Sequence, residues 1–338
     1  ESHRCPPEPE LWIYLATQAI MPADRRCLLT AALAASASGS SYFSHGHAVT
    51  SQPRLNDRAA VSSIQLNFLK DGAGIGDAAG AAAATGPSAR EREAALAAWL
   101  EENGVWMSDK YTWGKTAHPL RMESETVEDF ELSGRGLLAR KDIQQGESIL
   151  TVPPQCLMTK TAAARVLGAR VVPDSMGEYV AIAMLLIHER SLGASSFWAP
   201  YIGILPTVEE VGQTWTWEEE DLAMLKGSGV LAATDSLRAK LKADYAMLLE
   251  GTIRPNGLDE TVFSWEAYEW SFSMLFSRAI NLRETEELAL VPYADLLNHS
   301  PYCSSYFFYN TIPFSNDREV TLYADRSYAK NDQVLISY

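Results

Sequence analysis

The sequence contains few cysteines, and their spacing excludes the common zinc clusters. The 338 residues include four cysteines, and none of them belongs to a C-x-x-C pair. Structural zinc sites of the usual kind need such closely spaced ligands. We therefore expect no bound metal, and the scattered cysteines indicate a reducing compartment.

The sequence also lacks long apolar runs and is poor in basic residues. No run reaches the roughly 18 apolar residues that a membrane-spanning helix needs, so we expect a soluble chain. There are 28 Lys and Arg against 43 Asp and Glu, and the whole excess of acid falls on residues 91–338. Sequence-independent nucleic-acid binding depends on Lys and Arg, so this acidity argues against it. A basic protein partner would suit the acidic body, although solubility explains it equally well.

The N-terminal part of the chain has the composition of a targeting sequence. Residues 25–56 carry no acidic side chain and are rich in Ala and Ser, which is typical of organelle transit peptides. The chain begins at Glu1, whereas Met21 stands just before this stretch. We therefore expect Met21 to be the natural start of a transit peptide within a presequence, residues 1–60, that directs import into a chloroplast. A disordered Ala- and Ser-rich tail is the alternative.

A linker and a helix are predicted to follow. Residues 61–89 contain a Gly- and Ala-rich stretch, which is typical of a flexible linker. The folded part is predicted to begin near Arg90 with an amphipathic helix over residues 91–102. The apolar face of this helix would carry Leu96, Trp99 and Leu100.

Apolar periodicity divides the rest of the chain into strands, then helices, then strands again. Two short strands in a hairpin are predicted over residues 134–153. Helices are predicted over 176–190, 217–226, 234–250 and 264–281, and further strands over 306–310, 319–323 and 333–338. The first of these helices has a predicted core stripe of Tyr179, Ile182, Ala183, Leu186 and Ile187. This order of elements predicts one α+β unit rather than two domains.

The segment V-P-Y-A-D-L-L-N-H-S-P at 291–301 concentrates polar side chains. Asp295, Asn298 and His299 lie within five positions. A proline near each end predicts a short helical turn or tight loop rather than part of a long helix. Carboxylate, amide and imidazole groups together offer donors and acceptors for a small polar ligand. The alternative is a turn capped by its own side chains.

Five sequence blocks occur in the order and spacing of a known family. They are G-R-G-L-L-A-R at 134–140, F-W-A-P-Y-I-G-I-L-P at 197–206, S-R-A-I-N-L at 277–282, D-L-L-N-H-S at 295–300 and Q-V-L-I-S-Y at 333–338. With these blocks the chain resembles the SET-domain methyltransferases of the Rubisco large-subunit lysine methyltransferase and actin-histidine methyltransferase type. The resemblance covers residues 90–338.

The resemblance implies an α+β fold, the SET domain. Small β-sheets would be separated into two halves by a large helical insert at about residues 160–282. The segments near Asn298 and Tyr338 would form a knot-like crossing. The C-terminal substrate-binding domain of these relatives is expected to be absent from this sequence.

The resemblance also implies S-adenosyl-L-methionine as the cofactor. The Gly-rich turn before the first strand would contact the cofactor through its backbone, with Ser133 where relatives often carry an acidic residue. Arg278 would bind the methionine carboxylate, and Asn298 the methionine amino or carboxylate end. The His299 backbone would bind the adenine while its ring braces the fold, and Asp295 would neutralise the ammonium or order the Arg278 region. The implied cofactor-binding set is Ser133, Gly134, Arg135, Arg278, Asp295, Leu296, Leu297, Asn298 and His299.

Tyr338 is the implied catalytic residue. Considered alone, a Tyr in an apolar strand is a core residue, but in the family its hydroxyl points at the transferring methyl group. Methyl transfer to an amine is an in-line displacement that depends mostly on alignment and electrostatics. A lysine amine must also be neutral, which costs roughly 4.6 kcal/mol at pH 7 for a pKa of about 10.4. An apolar channel and the positive sulfonium would lower that pKa, so no dedicated general base is required.

These features together predict a protein-lysine N-methyltransferase that uses S-adenosylmethionine. Its substrate would be a non-histone protein, in the chloroplast or otherwise in the cytoplasm, and neither nucleic acid nor a membrane is an expected partner. A protein-histidine methyltransferase is the second reading. A catalytically silent SET-like protein that binds a partner through its helical insert is the third. The sequence does not indicate an oligomeric state.

Overall fold

The computed structural model describes residues 87–111, 116–128, 131–282, 287–312 and 318–337. The predicted presequence and most of the predicted linker lie outside these residues. Within the described part, the α-helices are α1 (Ala89–Glu102), α2 (Lys160–Leu167), α3 (Glu178–Ser191), α4 (Ala199–Ile202), α5 (Val208–Val211), α6 (Glu219–Ala223), α7 (Gly229–Leu248) and α8 (Trp265–Arg278). No described helix is both long and apolar enough to cross a membrane.

Ten short strands in the described part form three small sheets. The first sheet has the order β1-β2-β10-β7, the second β3-β9-β8 and the third β4-β6-β5. The strands are β1 (Leu120–Glu128), β2 (Glu131–Ala139), β3 (Ser148–Val152), β4 (Met158–Thr159), β5 (Ile280–Leu282), β6 (Glu287–Leu290), β7 (Asn298–His299), β8 (Tyr306–Thr311), β9 (Arg318–Tyr323) and β10 (Gln333–Ile336).

The predicted hairpin over residues 134–153 is wrong. β2 pairs with β1 and β10, whereas β3 pairs with β9 in another sheet. The turn before β3 is present, with Gly146 at φ 80°, but its neighbour Ile143 forms a bridge with Tyr328 instead. Alternating apolar residues show which face of a strand is buried, but they do not identify its partner.

The other predicted elements are found with small differences in their ends. The predicted helices over 91–102, 176–190, 234–250 and 264–281 are confirmed as α1, α3, α7 and α8, and the three later predicted strands as β8, β9 and β10. The helix predicted over 217–226 shortens to α6, because the residues after it form successive tight turns such as Leu225 N–H to the Leu222 carbonyl. Ser88 and Glu91 form a capping box that starts α1.

Helix α3 lies at the centre of the hydrophobic core. Residues 181–187 are all buried, so the helix is covered on every side rather than along one stripe. Four of the five predicted stripe residues are accordingly buried, but Tyr179 is 41% exposed. Its ring stacks on those of Phe272 and Phe276 from α8 at the edge of the core.

Strand β10 connects β2 and β7, two strands that are far apart in sequence. It lies between β2 and β7, antiparallel to the first and parallel to the second. Leu335 is opposite Asn298, and Ile336 is opposite His299. The pairing places the polar segment at 291–301 directly beside the strand that leads to Tyr338, a residue that lies outside the described set.

Candidate active site

Several predicted site residues come from four short segments that are far apart in sequence. These are β2 near Gly134, the last residue of α8, the 3-10 turn Ala294–Leu296 and strand β7. The 3-10 turn follows Tyr293, which adopts the left-handed φ of 73°, and all three of its residues are buried. The predicted short helical turn between buried residues is confirmed.

Arg278 and Asp295 form a buried ion pair at this point. Nη1 of Arg278 donates to the Asp295 carbonyl oxygen at 3.1 Å and to Oδ2 at 3.3 Å. The side chain of Asp295 is fully buried, and that of Arg278 is 15% exposed. Burial raises the pKa of Asp295, and the Arg278 guanidinium opposes that rise. Arg278 is thus fixed through Nη1, while its Nη2 makes no hydrogen bond within the described part of the chain.

Tyr201 also binds Asp295, and its contribution was not predicted. Its hydroxyl donates to Oδ2 of Asp295 at 2.8 Å, and the whole residue is buried. Tyr201 belongs to the F-W-A-P-Y block, which served only as a family signature. The signal was present in the sequence, but it could not show which distant carboxylate the tyrosine meets.

Arg135 brings a second guanidinium to the same region. Its Nη2 donates to the carbonyl oxygen of Ile204 at 2.9 Å, which joins β2 to the helical insert. Burial lowers the pKa of Arg135, and the positive charge of Arg278 lowers it further, while Asp295 acts in the opposite direction. Glu93 and Glu210 also raise the pKa of Arg135, so two arginines and several carboxylates interact around this point.

Asn298 is held by a network of neutral hydrogen bonds. Its Nδ2 donates to Oγ1 of Thr126 at 3.0 Å and to Oε1 of Gln333 at 2.9 Å. The Thr126 hydroxyl in turn donates to the carbonyl oxygen of Gly134 at 2.8 Å. Oδ1 of Asn298 accepts no hydrogen bond within the described part, and this atom is not buried. Thr126 was missed because no local pattern marks it, and Gln333 was recognised only as part of the Q-V-L-I-S-Y block.

Two glycines allow this close approach. Gly134 adopts φ 73°, a conformation that favours glycine. A Cβ on Gly136 would lie 2.7 Å from Oε1 of Gln333 and 2.8 Å from Nδ2 of Asn298. The backbone of β2 therefore lies against the amide network with no room for a side chain.

The remaining predicted site residues occupy different positions. Leu296 and Leu297 are buried in the hydrophobic core, and the backbone N–H of each is hydrogen-bonded within the 3-10 turn. His299 is exposed, so its ring does not lie in the core, and the expectation that it braces the fold stays a prediction; partial burial lowers its pKa. The Ser133 side chain and Tyr338 lie outside the described set. Among the described residues, no three His, Cys, Asp or Glu side chains are grouped as metal ligands.

Comparisons with known proteins agree with this fold. The family model "SET domain" matches residues 134–338. The chain is 34% identical to the Rubisco large subunit N-methyltransferase of Pisum sativum over 60% of its own length and 38% of that protein. It is 30% identical to the fructose-bisphosphate aldolase-lysine N-methyltransferase of Arabidopsis thaliana over 61% and 43%. It is 28% identical to human "SET domain-containing protein 4" over 62% and 50%.

Solved structures give the same result. The SET domain of LSMT bound to lysine and AdoHcy matches with a TM-score of 0.61 and 31% identity, over 75% of this chain and 54% of that one. Rubisco LSMT bound to AdoMet matches with a TM-score of 0.57 and 30% identity, over 73% and 52%. The chain spans 38 to 50% of the length of the three curated relatives above. Because the family model covers more than half of the chain, the protein belongs to the SET-domain family.

Proposed function

We propose that this protein is a SET-domain protein-lysine N-methyltransferase that uses S-adenosylmethionine. Two relatives at 30% identity or more are named as a Rubisco large subunit N-methyltransferase and an aldolase-lysine N-methyltransferase, and solved neighbours are bound to AdoMet, AdoHcy and lysine. The single observation that carries the proposal is the Arg278 guanidinium, which Asp295 fixes at Nη1 and leaves open at Nη2.

The residues present fit the amino-acid end of this cofactor. A guanidinium that is fixed and only 15% exposed can bind a carboxylate without first being ordered. Arg135 adds a second guanidinium close enough to act on Arg278, although Glu93 and Glu210 offset part of its charge. Arg278 is therefore proposed to bind the methionine carboxylate.

Asn298 is proposed to bind the ammonium group. Both of its amide hydrogens are used by Thr126 and Gln333, so it has only its oxygen to offer a ligand. An oxygen acceptor suits an ammonium and not a carboxylate. The sequence left open whether Asn298 binds the amino or the carboxylate end of the methionine moiety, and these hydrogen bonds favour the amino end. The turn at Ser133–Arg135 and the His299 backbone remain the proposed contacts for the rest of the cofactor.

The chemistry of transfer would depend on alignment. S-adenosylmethionine supplies an electrophilic methyl group on a positively charged sulfur. The protein must hold a neutral lysine amine in line with that carbon–sulfur bond. We assign the hydroxyl of Tyr338 to holding the polarised methyl group, an interaction worth about 0.5–1 kcal/mol for each C–H···O contact. Asp295, Tyr201 and Arg278 keep the carboxylate end fixed, which fixes the direction of the methyl group.

The substrate is proposed to be a lysine of a chloroplast protein. The relatives from Pisum sativum and Arabidopsis thaliana are both named as chloroplastic, and residues 25–56 have the composition of a transit peptide. A histidine substrate is the alternative, and a silent partner-binding protein is the rival from another class. We propose neither a nucleic-acid nor a membrane partner.

Calorimetric titration of the 338-residue chain with S-adenosylmethionine tests the proposal. The wild type should bind, Arg278→Ala should weaken binding by about 100-fold, and Arg278→Lys should weaken it less, since a point charge replaces a bidentate group. Arg254→Ala is the control, because this exposed arginine pairs only with surface glutamates in the described part. A folded wild type that does not bind would overturn the enzyme assignment.

Transfer is measured separately with the Rubisco large subunit and fructose-bisphosphate aldolase as candidate substrates. Labelled methyl groups on lysine, lost in Tyr338→Phe, would support the reaction. Label on histidine would favour the alternative reaction. Cofactor binding without transfer to any stromal protein would favour the silent protein.

A further inference from the structure

Thr126 occupies an irregular point in the ladder between β1 and β2. It is 3% exposed, although its neighbours in sequence, Glu125 and Val127, are exposed. The register shifts on both sides of the pair that Thr126 forms with Gly134. Such bulges redirect a side chain out of the regular alternation. At this irregular point the Thr126 hydroxyl faces the cofactor segments, through its hydrogen bonds with Gly134 and Asn298.

The direction of each hydrogen bond at Thr126 follows from counting protons. A hydroxyl has one proton, and that of Thr126 is donated to the Gly134 carbonyl at 2.8 Å. Towards Asn298, 3.0 Å away, the same oxygen can only accept. The group of Asn298 that faces Thr126 must therefore be the NH2 group, which fixes the orientation of the amide.

We propose that Thr126 is a positioning residue that orients Asn298 towards the ammonium group of S-adenosylmethionine. It also ties the carbonyl of Gly134, in the first cofactor segment, to the side chain of Asn298 in the second. The inference rests on the proposed function. It assigns a role to a residue that precedes the part of the chain matched by the SET model, residues 134–338.

Removing the hydroxyl would release the amide from its orientation. In Thr126→Val the methyl group offers no acceptor, so Asn298 loses one partner and can turn its NH2 group towards the ligand. An NH2 group repels an ammonium instead of binding it. A ligand with an ammonium should therefore lose affinity, whereas a ligand without one should not.

The experiment compares two ligands on the 338-residue chain by calorimetry. S-adenosylhomocysteine carries the ammonium and the carboxylate, and 5′-methylthioadenosine carries neither. We expect Thr126→Val to weaken the first about tenfold, the loss of one hydrogen bond to a charged group, and the second less than about twofold. Thr126→Ser keeps the hydroxyl and should bind both ligands as the wild type does.

A matched control and a second variant complete the design. Thr321→Val removes a hydroxyl that is equally buried and bonds to Thr151, in a different sheet, and should leave both affinities unchanged. Thr126→Ala repeats the test in a smaller side chain if the valine variant does not fold, as judged by thermal unfolding.

The outcomes separate the two proposals. The positioning role would be overturned if Thr126→Val lost the same fold of affinity for both ligands. It would also be overturned if Thr126→Ser did not bind as the wild type does. Unchanged binding of S-adenosylhomocysteine by a folded Thr126→Val or Thr126→Ala would also overturn it, while leaving the proposed function intact. A wild type that binds neither ligand would overturn the proposed function, and this inference with it.

Discussion

The two ends of the candidate site are built in opposite ways. At one end, Arg278, Arg135 and Asp295 place three charges in a mostly buried region, and two polar atoms, Nε of Arg278 and Oδ1 of Asp295, have no partner in the described part. At the other end, Asn298, Thr126 and Gln333 form a neutral network in which both amide hydrogens are used. At the charged end some polar atoms lack a hydrogen-bond partner, whereas at the neutral end the side chains are joined by hydrogen bonds.

This difference indicates a division of roles. Buried charges are costly to isolate, so the charged end should account for much of the stability that a substitution can remove. A connected neutral network contributes less energy but fixes geometry. The following three predictions test that division, beginning with the charged end.

Removing the carboxylate should have the largest effect. Asp295→Ala leaves the Arg278 guanidinium without its counter-charge and Tyr201 without the acceptor 2.8 Å away. Breaking one side of a buried pair costs about 3–5 kcal/mol. Urea unfolding should show a loss in this range.

Asp244→Ala is the matched control for this prediction. Its pair with Lys240 is a partly exposed i,i+4 pair on α7, and helix pairs of this spacing contribute about 0.3–0.5 kcal/mol. If the two variants lose similar stability, the charged end does not carry the stability assigned to it.

Acid should destabilise the support beneath the charged end. His118 is buried against Tyr293, with ring centroids 5.7 Å apart, and Tyr293 leads into the turn that holds Asp295. Burial, reinforced by the nearby Arg140 charge, lowers the pKa of His118 from 6.5 to about 4. A lowered histidine pKa contributes stability above pH 6.5 that is lost as the pH falls towards 4, up to about 3 kcal/mol.

The measurement is the free energy of unfolding of wild type and His118→Gln between pH 7 and pH 4.5. The part of the unfolding free energy that the wild type loses on acidification through His118 should not be lost in the variant. The raised pKa of Asp295 acts in the opposite direction, since its stability contribution is present at low pH and lost as the pH rises. A wild type and variant with the same pH profile would show that His118 contributes nothing.

Crowding the neutral end should have the smallest effect on stability. In Gly136→Ala the new methyl group would meet Gln333, Asn298 and Thr126 at 2.7 to 2.9 Å. Overpacking of this kind lowers the free energy of unfolding by about 1–3 kcal/mol. Here it also displaces the Asn298 amide, so the free energy of cofactor binding should fall by more than the free energy of unfolding. Gly229→Ala is the control, because a Cβ there has nothing within 4 Å. Normal cofactor binding by a folded Gly136→Ala would contradict the close packing of this network.

Local patterns were sufficient for the parts of the fold that depend on neighbouring residues. The long helices were predicted because apolar spacing and caps lie within one segment. The segment with Asp295 and Asn298 was found because its polar residues lie together. The resemblance to a known family supplied Arg278.

Contacts between distant segments could not be predicted in this way. Tyr201 and Asp295 are separated by 94 positions, and Thr126 and Asn298 by 172. The pairing of β2 with β10 rather than β3 is of the same kind. Each depends on how sheets and helices meet in space, which periodicity within one segment does not encode.

The central place of β10 in its sheet also determines when the site can form. β10 separates β2 from β7 and pairs with both, and it is the last of these strands to leave the ribosome. Until residues 333–336 emerge, β2 and the Asn298 segment have no strand between them to fix their spacing. The helices, whose contacts are local, can form earlier. The cofactor site is therefore completed only after every residue from β2 to β10 has been made.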